Sequence, residues 1–135
     1  MTLPRHRRRR RYRDDRGSAV VDFVLVLTLL VPLVLGIVQV GLVLLVRNTL
    51  ASAASEGARV AATVDAGPAD GVATTREQIS GALADRFARE VVARPTSVGG
   101  APGVAVTVRA EVPALGLLGP AVPVEVTGRA VEEQP

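Results

Sequence analysis

The stretch Phe23–Val46 reads FVLVLTLLVPLVLGIVQVGLVLLV and carries no charged side chain. Its 24 residues, at about 1.5 Å each in a helix, reach about 36 Å, enough to cross the roughly 30 Å hydrocarbon core of a bilayer with some tilt. A soluble core helix does not need this length. The apolar region of a secretory signal runs to only about 7–15 residues, so the stretch predicts a retained single membrane span. Every other segment is placed by it.

Little material is left for a second globular unit in a chain of 135 residues. With the helix leaving the membrane near Arg47, 89 residues remain to Pro135, a size at which an apolar core is marginal unless partners help to bury it. The aromatics are Tyr12, Phe23 and Phe87, so any core beyond the membrane is made of Val, Ala and a few Leu around Phe87. Cysteine is absent, which excludes disulfides and thiolate metal sites. The one histidine, His6, lies inside an arginine run with no other ligand-type side chain close in sequence. No metal, cofactor or catalytic role is expected of it.

Charge divides the chain unevenly. Residues 1–22 carry eight Arg and three Asp, a net +5, whereas residues 48–135 carry a net −3. By the positive-inside rule this predicts a basic cytoplasmic leader (1–22), a transmembrane helix (23–46) and a small extracytoplasmic α+β domain (47–135) at the cytoplasmic membrane. Clustered arginine also suits phosphate neutralisation. Topology already explains the cluster, and no aromatic-rich surface adjoins it for base stacking, so no nucleic-acid partner is expected. A twin-arginine export signal around Arg10 and Arg11 is disfavoured by the length and apolarity of the span that follows.

Between leader and span lies Gly17-Ser18-Ala19-Val20-Val21-Asp22-Phe23. A glycine after a basic arm, small and apolar residues, an acid and then an aromatic, all opening an apolar helix, resemble the processing site of type IV prepilins. In that family a membrane aspartyl protease cuts after the glycine. Such a cut would free the Ser18 amine, and Asp22, one helical turn on, could neutralise that amine or a neighbour's where an unpaired charge is costly. The alternative is a boundary acid that caps the start of the membrane helix. Gly17, Ser18, Asp22 and Phe23 are the candidate processing residues.

Within the span Pro32 should bend the helix, and Gly36 and Gly41 offer close approach for another helix, with the neutral hydrogen-bonding Gln39 between them. Their five-residue spacing is not the G-x-x-x-G dimer pattern. Past Arg47 the helical period continues to about Val64 through Leu50, Ala53, Ala54, Gly57, Ala58, Ala61 and Ala62, with Ser52, Ser55, Glu56, Arg59 and Thr63 opposite. This face is apolar but small, suited to close packing against a sheet or a sister helix. Glu56 and Arg59 are expected to form a surface pair. Pro32, Gly36, Gln39, Gly41 and Gly57 are the candidate helix-packing positions. Ala51-Ser52-Ala53 also fits a small-residue signal-peptidase pattern, a rival processing event that Arg47 and the long span disfavour.

Residues 66–74 read as a linker. A second helix is expected to open at Thr74-Thr75-Arg76-Glu77, a capping-box pattern, and to present Ile79, Ala82, Leu83, Phe87 and Val91 on one face. Val98–Gly103 reads as a turn. From Val104 the period changes to two, with Val104, Val106, Val108, Ala110 and Val112 on one face, and Val122–Ala130 repeats it. The two predict an antiparallel hairpin in which Thr107 faces Thr127 and Arg109 faces Glu125. The connection Pro113–Pro120 holds Leu115, Leu117 and Leu118, and could pack on the helix, touch the membrane or meet a partner.

The chain is similar to the TadE-like family of bacterial tight-adherence (Flp) pilus assembly systems, whose members are treated as minor pseudopilins. The resemblance rests on R-G-S-A-V-V-D-F, on the L-T-L-L-V-P-L-V-L-G-I span, on A-S-A-A-S-E-G-A-R-V-A-A and on the two Val-rich strands. It departs in Asp22, where glutamate is usual, and in Gln39, where relatives often have an acid. The resemblance implies cleavage after Gly17 by a prepilin peptidase, a pilin-like α+β fold, and pilin or pseudopilin subunits and the lipid bilayer as partners. An anchored envelope binding or sensor module is the alternative function. An enzyme is not expected, because the acids are scattered and no serine has a histidine to activate it.

Overall fold

The computed structural model describes residues 15–115 and 119–133. The arginine leader up to Asp14, together with Leu117 and Leu118, lies outside them. In chain order the elements are α1 (Asp15–Ala61), α2 (Pro68–Ala82), a 3₁₀ turn (Asp85–Ala88), β1 (Glu90–Val98), β2 (Ala101–Val112) and β3 (Val122–Val131). The chain divides into two compact units, Met1–Gly36 and Ile37–Pro135.

In the first unit the described residues form the N-terminal part of α1, and from Gly17 on all of them are exposed. Leu29 is 74% exposed and Phe23 66%. The helix continues through Pro32, although proline has no N–H to offer the Thr28 carbonyl one turn earlier. Thr28 satisfies its own hydroxyl by donating to the Val24 carbonyl at 2.7 Å, the local bond that lets threonine sit in an apolar helix.

The second unit packs the C-terminal part of α1 and the shorter α2 with a three-stranded antiparallel sheet of order β1-β2-β3. The core joins Val46, Leu50, Ala53, Ala54 and Ala58 of α1 to Ile79 of α2, Phe87, Val91 of β1, Val106, Val108 and Val112 of β2, and Val124 and Val126 of β3. Packing starts ahead of Arg47, since Leu42 and Val43 already lie partly buried against it. The small-residue face of α1 is buried at every one of its expected positions from Leu50 to Ala62, while Ser52, Ser55, Arg59 and Thr63 are exposed. Arg59 and Glu56 form the surface pair, 3.5 Å apart. The α1 helix ends at Ala61, and Ala62 then turns back by accepting from the Glu133 N–H at 2.9 Å, which satisfies one of the orphan carbonyls of a helix end.

The expected hairpin is β2–β3, with Thr107 opposite Thr127 and Arg109 opposite Glu125. A third strand, β1, pairs with β2 from Glu90↔Arg109 to Val98↔Ala101 and completes the sheet. The expectation of a second helix reaching Val91 is therefore corrected. The α2 helix ends at Ala82, Leu83 takes an extended backbone, and Phe87 and Val91 come to the core from the 3₁₀ turn and from β1. Val91 and Val92 are β-branched and Pro95 cannot donate, and both weigh against a helix; Pro95 and Pro123 are accommodated because β1 and β3 are the edge strands. The Val98–Gly103 turn shrinks to Gly99-Gly100, both at positive φ (60° and 89°), as a two-residue type I′ hairpin demands.

The linker at 66–74 and the cap at Thr74 are also corrected. The α2 helix begins at Pro68, which is well placed in a first turn because its missing N–H would be unpaired there. Its cap is Gly67, whose N–H donates to the Asp70 carboxylate at 2.9 Å. Thr75 is instead a fully buried mid-helix residue.

Candidate membrane and helix-packing site

The α1 helix is long and apolar enough, over Gly17–Ala61, to cross a membrane, and its most apolar window is 6% buried. The junction residues Gly17, Ser18, Asp22 and Phe23 all lie in this helix. Ser18 and Asp22, four residues apart, share a helix face. A side chain added at Gly17 would meet nothing within 4 Å, and the same holds at Gly36 and Gly41. Among the described residues these glycines have no neighbour within that distance.

Gly57 has a different environment. A Cβ built there would lie 2.6 Å from the Gly71 carbonyl oxygen and run into the Thr75 hydroxyl, so α1 and α2 cross with their backbones in direct contact. The contact is reciprocal, since a Cβ at Gly71 would lie 2.5 Å from the Gly57 carbonyl oxygen and 2.7 Å from the Ala61 methyl. Thr75 closes the crossing. Its hydroxyl donates to the Gly71 carbonyl at 2.7 Å and leans toward the Ala53 carbonyl at 3.4 Å. Elsewhere on α1, Gly128 of β3 sits directly on the backbone of Ala54 and Ser55. Gly71, Thr75 and Gly128 escape sequence reasoning. The one signal for the first two is their i, i+4 spacing, a small-residue pair of the kind that admits a close helix.

Gln39 does not stand free between its glycines. Its Oε1 accepts from the Leu115 N–H at 2.6 Å and its Nε2 donates to the Pro113 carbonyl at 3.3 Å. The structure thus brings Gln39 to the β2–β3 connection and Gly57 to α2, and leaves Pro32, Gly36 and Gly41 exposed.

The outer sheet face is polar. Thr107 and Thr127 hydroxyls lie 3.0 Å apart, and Arg109 Nε donates to Glu125 Oε2 at 2.7 Å. This hydrogen bond, aided by the opposite charge, holds the Glu125 carboxyl below the ordinary glutamate value and raises the Arg109 guanidinium further. A groove beside the pair is lined by the exposed Arg76, Arg89, Glu90 and Arg94. Among the described residues no three His, Cys, Asp or Glu side chains assemble into a metal site.

The family model described as TadE-like protein matches residues 17–59. No curated protein and no solved structure matches the chain. The match runs from the junction glycine to the Glu56–Arg59 pair and so covers both the unpartnered and the packed parts of α1. Over residues 17–59 the chain carries a TadE-like segment, the family that its sequence resembles.

Proposed function

We propose that this chain is a minor pseudopilin-like subunit that takes part in assembling a tight-adherence (Flp) type IV pilus or a related secretion machine. It is held in the cytoplasmic membrane with its N-terminus cytoplasmic and its sheet domain outside. A prepilin peptidase removes the arginine leader after Gly17, and the new Ser18 amine and Asp22 then meet the helices of other pilin or pseudopilin subunits. The role is structural rather than enzymatic.

The observation that carries this reading is the stretch of α1 from Gly17 to Gly36. It lies within the TadE-like match, it exposes its apolar side chains, and a Cβ at either of its two glycines would meet nothing within 4 Å among the described residues. Lipid covers such a helix in the resting state; small residues and the Thr28 carbonyl left without an N–H by Pro32 favour a second helix when one is present.

Intact-mass measurement of the purified membrane form tests it. A chain that begins at Ser18 is expected where an active prepilin peptidase is present; a persisting full-length chain would sink the proposal. Gly17→Ala should leave the leader attached. Asp22→Ala should be processed normally yet fail to join an assembly.

A further inference from the structure

Two polar side chains interrupt the apolar run Phe23–Val46, Thr28 and Gln39. Thr28 is satisfied inside its own helix. Gln39 spends both ends of its amide on another segment, the Leu115 N–H and the Pro113 carbonyl. These bonds hold the end of β2 alongside α1 at Gln39, eight residues and therefore about 12 Å before Arg47 along the helix.

What lies there is not built for water. From Val112 to Val124 the chain has no charged residue, while Glu111 and Glu125 bound it on either side. Leu115 is 41% exposed, and on the helix Ile37, Val40 and Leu44 are each more than half exposed. Irregular backbone at membrane depth is tolerated only where its N–H and C=O groups are paired. Gln39 pairs one of each.

We propose that Pro113–Leu115 is a second membrane contact, an apolar foot clamped to α1 by Gln39 and seated in the interfacial layer of the bilayer on the domain side. The occupant is lipid because the foot continues the apolar surface of the span itself and its segment lacks the charges that a water-facing loop carries. The boundary then moves from Arg47 back to about Gln39. The 21 residues Ser18–Val38 span about 31 Å, close to the thickness of the hydrocarbon core, and Gln39–Val46 belongs to the interface and the domain. This inference rests on the reading that α1 crosses the bilayer.

The absence of cysteine makes the test clean. Leu115→Cys, Leu30→Cys and Ser97→Cys, each in the full chain, are spin-labelled and reconstituted in phosphatidylcholine–phosphatidylglycerol vesicles, and collisions with oxygen and with a water-soluble nickel chelate are compared. The label at 115 should show an oxygen-to-nickel ratio severalfold above that at 97 and approaching that at 30. If 115 matches 97 while 30 is immersed, the foot is wrong and the span stands; if 30 also matches 97, both fall. Spin–spin broadening at 115 that vanishes on dilution with unlabelled protein would show a second copy on this surface and overturn the lipid assignment. Gln39→Leu should release the label at 115 to the nickel reagent and leave 97 and the far-ultraviolet circular dichroism unchanged. An unchanged ratio at 115 would remove Gln39 as the clamp.

Discussion

The two parts of α1 on either side of Gly36 use similar small and apolar residues to opposite ends. From Val46 to Ala61 each turn buries a residue against the sheet or α2, and Gly57 is in backbone contact with Gly71. From Gly17 to Gly36 the same kinds of residue are exposed, and a Cβ added at either glycine would meet nothing within 4 Å among the described residues. A glycine is therefore no single signal: it marks a contact already made at one end of the helix and a face still open at the other.

The sharpest way to break this comparison is to truncate a leucine in each part. Leu50 is wholly buried, so Leu50→Ala should cost about 2–5 kcal/mol, whereas Leu29→Ala should stay within about 0.5 kcal/mol, both read by denaturant unfolding of the sheet domain in micelles. Equal losses would mean that the outer part of the helix is packed after all. Glycines give the next contrast. Gly57→Ala forces a methyl against the α2 backbone and should cost about 1–3 kcal/mol. Gly36→Ala should leave the isolated subunit unchanged and, on the proposed function, weaken its association with other helices in a crosslinking assay.

Thr75→Val keeps the shape at the crossing and removes only the hydroxyl, so a loss of about 0.5–1.5 kcal/mol is expected, smaller than for Gly57→Ala. If it is the larger, the hydroxyl rather than the close approach holds the helices. The smallest effect belongs to Arg109–Glu125. Because the folded-state carboxyl value is lowered, the pair's contribution is present above the ordinary glutamate value and fades as pH falls through the folded one. A carbon-13 titration should place the Glu125 midpoint below that ordinary value, and Arg109→Gln should return it upward. Both side chains are more than half exposed, so salt should weaken the effect.

Much of this was legible before the fold. The apolar span and the buried face of α1 are local patterns, as is the β2–β3 register, where a one-residue slip would have turned every valine outward. Strand β1 was not legible, because Ile79, Phe87 and Val91 mimic a helical stripe while reaching one core from three different elements. Neither was the cap of α2, where the Gly67 N–H and the Asp70 side chain act in place of the Thr74 pattern.

By itself, then, the sequence determined where the chain is apolar, which faces repeat and where a helix meets a charged leader, since periodicity and charge are properties of neighbours along the chain. Only the tertiary structure decided which small residues already have partners and what Gln39 holds. Gly57 against Gly71, Gly128 on Ala54 and Gln39 on Leu115 join residues 14 to 76 positions apart. Such contacts are chosen by the backbone spacing of packed elements, which no local pattern encodes.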